Sequence, residues 1–288
     1  MDYLLLALSV VLATGRNMLA KDISKINFGT RQYFLCQGVL FLLGGGALLA
    51  FGDVSFFRVA PITIIYAVIY GIVVLLSQWF YVTSLNKGNV ALCSTVQSLG
   101  FILPTLSGAI IWREELYFLD YVGILCAVAA IVVSGASKST EKKNNGSGYF
   151  IPLLIAMLAS GGLGIVQKFQ QKSPYADQKS VFLLIAFALA AAISFIFFAF
   201  SKKQYEGEFK MNKLTIASFA GICFGCCNLI NTILVGRMDS AIFFPTLNIG
   251  VILLSVVCAA LLLKEKMTKK EISVLILGGA SILLLNLA

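Results

Sequence analysis

The stretch that decides the fold is "QSLGFILPTLSGAIIWREE", which runs from Gln97 to Glu115. No charged or amide side chain occurs between Ser98 and Trp112, and three charged residues follow directly. An apolar run of this length that ends at charges is typical of a helix crossing a lipid bilayer. Pro104, near its middle, removes one backbone hydrogen bond, and we therefore expect this helix to bend.

The composition extends this pattern to the whole chain. Of its 288 residues, 59% are hydrophobic and only 12% are charged, whereas soluble domains are about a quarter charged. Ten apolar runs are long enough to cross the ~30 Å hydrocarbon core, and each must be helical because unpaired backbone groups are expensive in lipid. The sequence therefore predicts an all-α polytopic membrane protein with ten transmembrane helices: Tyr3–Ala20, Gln32–Gly52, Pro61–Ser84, Val90–Trp112, Phe118–Ala136, Tyr149–Gln167, Ser180–Phe200, Asn212–Gly236, Ser240–Leu263 and Ile272–Leu287.

The distribution of charge and of reactive side chains argues against several function classes. The net charge is +9, but Lys and Arg lie in short loops between the apolar runs, as headgroup anchors do, so we expect no nucleic-acid partner. The chain has no histidine, and Cys223, Cys226 and Cys227 read as small packing residues of one helix. We therefore predict no metal, no cofactor and no catalytic residue, since enzymes embedded in membranes need clustered acids, histidines or a metal.

A polar segment at residues 138–148 divides the chain into two halves, 1–137 and 149–288, each with five predicted helices. An odd number of helices per half means that the two halves enter the membrane in opposite directions. Such an inverted repeat is typical of transporters, with the substrate site near the midplane. Moving the second half by 150 positions aligns Gly71 with Gly221, Gln78 with Asn228, Ala91 with Ala241, Gly100 with Gly250, and Glu115 with Glu265.

The chain resembles the drug/metabolite transporter superfamily, and specifically its EamA-type members. The fourth and ninth apolar runs each end in a glutamate-bearing turn, "SGAIIWREEL" at 107–116 and "CAALLLKEKM" at 258–267. The resemblance covers essentially the whole chain and implies two homologous five-helix halves. It also implies a substrate bound between helices 1, 3, 4, 6, 8 and 9, with amino acids and related metabolites as the substrate class.

Ten residues within the predicted spans are candidates for binding the substrate. A strongly polar side chain is expensive in lipid, so it faces a cavity or another helix. The ten candidates lie on predicted helices 1, 3, 4, 6, 8 and 9. The repeat pairs helix 1 with 6, 3 with 8 and 4 with 9, and we expect these six helices to line a central cavity. The alternative for each amide is an interhelical hydrogen bond that holds the bundle together. The candidates are Arg16, Asn17, Tyr70, Gln78, Tyr81, Gln97, Gln167, Asn228, Asn231 and Asn248.

Three further features lie at helix ends or on helix surfaces. Arg16 either reaches the interface at the end of its helix or meets an anionic group of the substrate. Glu115 and Glu265 either mark the membrane surface or act as gates with a neighbouring cation. The GxxxG spacing of Gly221 and Gly225 predicts a close helix contact.

The charges within the spans also bear on energy coupling. No Asp or Glu lies inside a predicted span away from its ends, so a proton relay has no obvious carrier. We predict facilitated diffusion or exchange of a small organic metabolite by alternating access; the alternatives are a proton-coupled exporter and a lipid scramblase or channel. The expected setting is a plasma membrane of the prokaryotic inner-membrane type. The expected partners are the lipid bilayer and the small-molecule substrate, with the protein a monomer or a homodimer.

Overall fold

The computed structural model describes residues 1–23, 30–54, 59–87, 96–135, 150–201, 211–262 and 269–287. Within these ranges the chain is all-helical and contains no β-strand. Two short 3-10 helices occur at Leu99–Phe101 and Ala176–Gln178. The ten α-helices of the described ranges are α1 Asp2–Ile23, α2 Arg31–Phe51, α3 Pro61–Lys87, α4 Ile102–Trp112, α5 Phe118–Gly135, α6 Phe150–Lys172, α7 Lys179–Phe200, α8 Met211–Arg237, α9 Ser240–Leu262 and α10 Lys269–Leu287.

Six of these helices are long and apolar enough to cross a membrane, and four more are apolar but shorter over the residues described. Large apolar side chains stand exposed on their surfaces, including Ile110 at 77%, Phe118 at 79% and Phe200 at 85%. Exposed apolar surface of this kind suits lipid rather than water. The prediction of an α-helical polytopic membrane protein is confirmed at this level.

The ends of several helices follow from local chemistry. Thr30 precedes α2 and its hydroxyl accepts the Tyr33 N–H at 3.3 Å, which satisfies one unpaired donor of the first turn. Pro61 is the first residue of α3, where its missing N–H has no intrahelical acceptor in any case. At the other end of α4, Arg113 adopts a left-handed conformation with φ 55° and ψ 36°, and its N–H bonds the carbonyl of Gly108.

The segment around Pro104 changes its helical type. The turn at Leu99–Phe101 is 3-10 and α4 begins at Ile102, so Pro104 lies in the first turn of α4. In the 3-10 turn, each backbone hydrogen bond joins residues three apart. This turn comes directly before Pro104, which has no N–H to donate to the Gly100 carbonyl. Next to Pro104 the helix thus changes from 3-10 to α geometry, and the bend expected at this residue stays a prediction.

The structure extends α6 beyond its predicted end at Gln167. The helix continues to Lys172, so that Lys168 and Gln170 belong to it, with only 1% and 0% of their surfaces exposed. The predicted span Tyr149–Gln167 leaves Lys168 in the loop that follows it. The apolar pattern stops at Gln167, but burial against neighbouring helices continues for another turn.

The described helices group into two compact units, and each takes segments from both sides of the central loop. Unit 1 comprises Met1–Val11, Ser77–Ile165 and Arg237–Ala288, and unit 2 comprises Leu12–Leu76 and Val166–Gly236. Unit 1 contains α4, α5, α9 and α10, and unit 2 contains α2 and α7 with nearly all of α8. The two halves predicted at 1–137 and 149–288 are defined by sequence similarity, whereas the units are defined by contacts. The repeat of the two halves stays a prediction.

Within unit 1, α5 and α10 lie side by side. The Ser281 hydroxyl donates to the Gly123 carbonyl at 2.8 Å. A Cβ atom added at Gly123 would lie 2.7 Å from Leu285 Cγ, so only glycine allows this approach. Helix α9 packs against α4, α5 and α10 in the same unit.

Within unit 2, α2 packs along α7 and also makes a close contact with α8. A Cβ atom at Gly221 would lie 3.0 Å from Leu40 Cα, and one at Gly225 would lie 2.9 Å from Gly44 Cα. Real Cβ atoms do not approach backbone this closely, so the two glycines let the helix backbones meet. This is the contact that the GxxxG spacing predicts.

Candidate functional site

Three of the predicted site residues meet in unit 2, where they come from three different helices. The Tyr70 hydroxyl on α3 donates to the side-chain oxygen of Asn228 on α8 at 2.7 Å. The Gln167 amide on α6 donates to the Tyr70 oxygen at 3.3 Å and to the Thr232 hydroxyl at 3.0 Å. All four side chains are at least nine-tenths buried. We call these residues the Tyr70 network.

Helix α8 orients its two members of the network through its own backbone. The Asn228 amide donates to the Phe224 carbonyl at 2.8 Å, and the Thr232 hydroxyl donates to the Asn228 carbonyl at 2.8 Å. Because the Asn228 amide nitrogen is engaged one turn back, its oxygen is directed to partners on other helices. Two of these reach it, since the Gln167 amide also lies at 3.5 Å.

Arg16 lies over an aromatic ring in the middle of unit 2. Its guanidinium carbon is 4.4 Å from the centroid of Phe224, which stands halfway along α8. Phe224 in turn stacks on Phe187 with centroids 5.1 Å apart, and Phe41 meets the same ring edge-on at 5.9 Å. The Arg16 charge is therefore level with the middle of α8.

A charge at that depth is expensive. It costs at least about 2.5–3.5 kcal/mol in a membrane, and stacking on an aromatic ring offsets about 2 kcal/mol when the cation is desolvated. Charges retained at such positions usually serve substrate or ion pathways. The position of Arg16 is thus the strongest indication of function among the predicted residues.

The polar surface of α6 extends beyond the prediction. Gln170 is fully buried, and its amide donates to the Tyr175 carbonyl at 2.9 Å and to the Thr63 hydroxyl at 3.5 Å. The buried Lys168 lies between Gln167 and Gln170 on the same helix. Sequence reasoning missed both because it ended the helix at Gln167, although the run of glutamines and lysines after that residue keeps helical spacing.

Two predicted residues of unit 2 have more exposed surroundings than the Tyr70 network. Asn17 follows Arg16 on α1 and its side chain is exposed. Asn231 on α8 is half-buried and its amide donates to the Cys227 sulfur at 3.5 Å.

The other four predicted binding residues belong to unit 1. Gln97 donates to the Ser77 hydroxyl at 3.3 Å, while its side-chain oxygen is buried and accepts no hydrogen bond from the described part of the chain. Asn248 donates to the carbonyl of Phe244, one turn back, at 2.9 Å. Gln78 is half-buried, and Tyr81 packs with Val96 against the buried Leu153.

The two glutamates that follow α4 differ in their contacts. Glu115 is exposed and accepts the Tyr117 hydroxyl at 3.1 Å, which raises the pKa of Tyr117 because the carboxylate stabilises its neutral form. Glu114 instead accepts the backbone N–H of Ser240, the first residue of α9, at 2.9 Å. Its carboxylate thus complements the positive end of the α9 dipole. Glu265, the predicted counterpart of Glu115, lies outside the described residues.

Gly108 makes room for the Glu114 carboxylate. A Cβ atom at Gly108 would collide with the Glu114 side-chain oxygen and would lie 2.6 Å from Ser240 Cβ. Sequence reasoning missed this link because Glu114 and Ser240 are distant in the chain. Within the described ranges no group of three metal-binding side chains comes together.

The fold recurs among solved structures. Twenty-eight chains of solved structures match it. One, described as the crystal structure of a protein, aligns with a TM-score of 0.78 over 99% of this chain and 96% of that chain, at 17% sequence identity. A likeness at that identity is a likeness of fold. No protein-family model and no curated protein matches the chain.

Proposed function

We propose that the protein is a membrane transporter that moves a small organic metabolite by alternating access, with the substrate bound at the Tyr70 network and Arg16. The observation that carries this proposal is a set of buried polar side chains and a cation at mid-helix depth in unit 2. A helical bundle in lipid does not need buried polar and charged side chains in order to fold. Transporters place their substrate sites near the middle of their helices.

The proposal includes ten spans in two inverted five-helix repeats, and a pair of glycine contacts supports that repeat. A Cβ atom at Gly100, in the 3-10 turn before α4, would lie 3.4 Å from Ser160 Cβ of α6. A Cβ atom at Gly250 of α9 would lie 2.9 Å from Val10 Cγ2 of α1. The shift of 150 positions relates Gly100 to Gly250, and the same shift relates Val10 to Ser160.

A second pair of contacts in unit 2 has the same form. A Cβ atom at Gly71 of α3 would lie 2.8 Å from the Ala186 carbonyl oxygen of α7, and Gly221 of α8 meets the backbone of Leu40 on α2. The two glycines are equivalent under the repeat, and each faces the second helix of the opposite half. Close contacts that recur at equivalent glycines of the two halves are what an internal two-fold relation produces.

The alternative for the Tyr70 network is that it only joins helices. A joining role explains the hydrogen bonds of Asn228 and Thr232, but it gives no reason for the nearby charge of Arg16 at mid-depth. The Tyr70 network and Arg16 also lie on α1, α3, α6 and α8. The proposed repeat makes α1 equivalent to α6 and α3 equivalent to α8. We therefore assign the network to a substrate site, in a plasma membrane of the prokaryotic inner-membrane type.

The mechanism follows from these groups. The substrate exchanges hydrogen bonds with the Tyr70, Gln167 and Asn228 side chains, and the two repeats rock to open the site to either side in turn. The described spans carry no Asp or Glu away from helix ends, so the proposed mode is facilitated diffusion or exchange down a gradient.

The test is flux into liposomes that contain the purified protein. A panel of radiolabelled amino acids, carboxylates, amines and nucleobases is expected to include a solute whose uptake saturates and is competed by the unlabelled solute. Asn228→Ala and Tyr70→Phe are each expected to lower that uptake. Tyr66→Phe is the matched control for Tyr70→Phe because Tyr66 lies one turn before Tyr70 and stacks on Phe169. Flux without saturation would indicate a channel or scramblase, and an imposed pH gradient that drives accumulation would indicate proton coupling.

A further inference from the structure

We propose that Gln167 determines the specificity of the transporter, because its side-chain oxygen accepts a hydrogen bond from a hydroxyl or amine group of the solute. This inference rests on the proposed function and adds the chemical class of the solute to it, a molecule with an O–H or N–H donor. It is carried by the directions of the hydrogen bonds in the Tyr70 network, which can be followed from a backbone carbonyl to Gln167.

The first fixed point of the network is the side chain of Asn228. One of its terminal atoms lies 2.8 Å from the Phe224 carbonyl oxygen, which can only accept, so that atom is the amide nitrogen. The other terminal atom is therefore the oxygen, and it lies 2.7 Å from the Tyr70 oxygen. Because the Asn228 oxygen has no hydrogen, the Tyr70 hydroxyl must donate its single hydrogen to it.

The second fixed point is the hydroxyl of Thr232, which donates its one hydrogen to the backbone carbonyl of Asn228 at 2.8 Å. The Tyr70 and Thr232 oxygens therefore have no further hydrogen and can only accept from Gln167. The Gln167 amide lies 3.3 Å from the Tyr70 oxygen and 3.0 Å from the Thr232 oxygen. Its nitrogen, with two hydrogens, must face both, since the flipped amide would place oxygen against oxygen with no hydrogen between them.

This orientation leaves the Gln167 oxygen for another partner. The hydrogen bonds of Gln167 to described residues are all made by its amide nitrogen, so its oxygen accepts none from them. The Gln170 oxygen is also unpaired within the described part of the chain, but it is fully enclosed. The Gln167 oxygen is not enclosed in this way, and the residue keeps 5% of its surface exposed.

An open acceptor beside a hydrogen-bonded network selects for a donor on the solute. An O–H or N–H group satisfies the Gln167 oxygen, whereas an ether, carbonyl or carboxylate oxygen would face its lone pairs. A site that bonds a donor group discriminates against the analogue that lacks it, because the acceptor then loses water and gains no partner.

Four pairs of solutes test this requirement in liposomes that contain the full chain. The two members of each pair have the same net charge, and methylation removes the donors from the second member. The pairs are glycine and glycine betaine, lactate and 2-methoxypropanoate, phenethylamine and its N,N,N-trimethyl derivative, and uracil and 1,3-dimethyluracil. In one or more pairs we expect saturable uptake of the donor member, about tenfold or more faster than that of the methylated member at equal concentration.

Three substitutions assign this preference to Gln167. Gln167→Leu is expected to reduce the ratio of the two uptake rates to about twofold or less, because leucine offers no acceptor. Gln171→Leu is the matched control on the same helix, where Gln171 donates to the Ala176 carbonyl at 3.2 Å, and it should change neither rate. Tyr70→Phe is expected to lower both rates and keep their ratio, because the bond to Thr232 still orients the Gln167 amide. A merely structural role of Gln167 would lower both rates alike.

The outcomes separate this inference from the proposed function. Equal uptake of the two members of every transported pair would keep the transporter and overturn the role of Gln167. Saturable uptake confined to solutes without a donor, such as acetate or benzoate, would do the same. A ratio that persists in Gln167→Leu would assign the discrimination to the bulk of the methyl groups and also overturn the inference. If Gln167→Leu does not fold, Gln167→Met, which has a similar length and no oxygen, takes its place. Absence of saturable uptake for every solute of both panels would overturn the proposed function itself.

Discussion

The hydroxyl of Tyr70 and the side-chain oxygen of Asn228 are 2.7 Å apart, and this bond joins α3 to α8 in the interior of unit 2. The two residues are separated by 158 positions in the chain. A short bond between buried groups on different helices stabilises the bundle. In the proposed transporter the same two groups would also be a donor and an acceptor for the substrate. Both roles can be tested on the same variant.

Tyr70→Phe removes only the hydroxyl. Asn228 then loses its shortest donor and the Gln167 amide loses one acceptor, so we expect the free energy of unfolding to fall by about 1 kcal/mol. Uptake of the transported solute is expected to fall as well. Unfolding by SDS in mixed micelles measures the first quantity, and liposome flux measures the second.

Tyr66→Phe is the control for that substitution. Tyr66 lies on the same helix and stacks on Phe169, with ring centroids 6.3 Å apart. Stacking does not need the hydroxyl, so this variant should change neither stability nor flux. Equal effects of the two substitutions would show that the Tyr70 hydroxyl has no special role.

Two glutamines with different hydrogen-bond partners should respond differently to leucine. Gln167 donates to the Tyr70 and Thr232 oxygens, and Gln167→Leu leaves these groups without that donor, so we expect a loss of about 1–2 kcal/mol. Gln97 makes one long bond, to Ser77, and its buried oxygen accepts no bond from the described residues. We expect Gln97→Leu to change the free energy of unfolding by less than about 0.5 kcal/mol. A larger loss there would mean that the Gln97 oxygen does have a partner.

The contact between α2 and α8 predicts a difference between two glycine substitutions. A Cβ atom at Gly225 would lie 2.9 Å from the backbone of Gly44, whereas one at Gly46 would meet nothing within 4 Å. Gly225→Ala must separate the helices, and we expect it to cost about 2 kcal/mol or more. Gly46→Ala should stabilise α2 by up to about 1 kcal/mol, because alanine favours the helix. The same unfolding assay compares them, and a similar loss in both would argue against the close approach.

The helices were predictable from hydropathy because lipid leaves the backbone few alternatives. For example, α8 was expected at 212–236 and is observed at Met211–Arg237. Individual polar residues such as Gln167 and Asn228 were predictable for the same reason, since each is expensive in lipid. Their partners were not, because hydropathy contains no information on which faces of distant helices meet.

Lys168 and Glu114 show where the pattern fails. Lys168 directly follows the predicted end of its helix at Gln167, so its charge suggested a loop, yet the helix continues and packing buries it. Glu114 and Glu115 are neighbours of identical chemistry, and only the structure distinguishes them. The left-handed conformation of Arg113 turns the chain after α4, and it is Glu114 that reaches α9.

That distinction gives the last prediction. Glu114→Ala removes an acceptor for the Ser240 N–H and a negative charge at the positive end of α9, and we expect it to cost about 1.5–3 kcal/mol. Glu114→Gln keeps an oxygen of the same size in place and removes only the charge, for which we expect about 0.3–1 kcal/mol. Glu115→Ala removes a carboxylate that, among the described residues, bonds only the exposed Tyr117 hydroxyl, so its effect should stay within about 0.5 kcal/mol. If Glu115→Ala instead abolished flux while Glu114→Ala did not affect stability, Glu115 would be the gate that the sequence suggested and the link from Glu114 to α9 would be incidental.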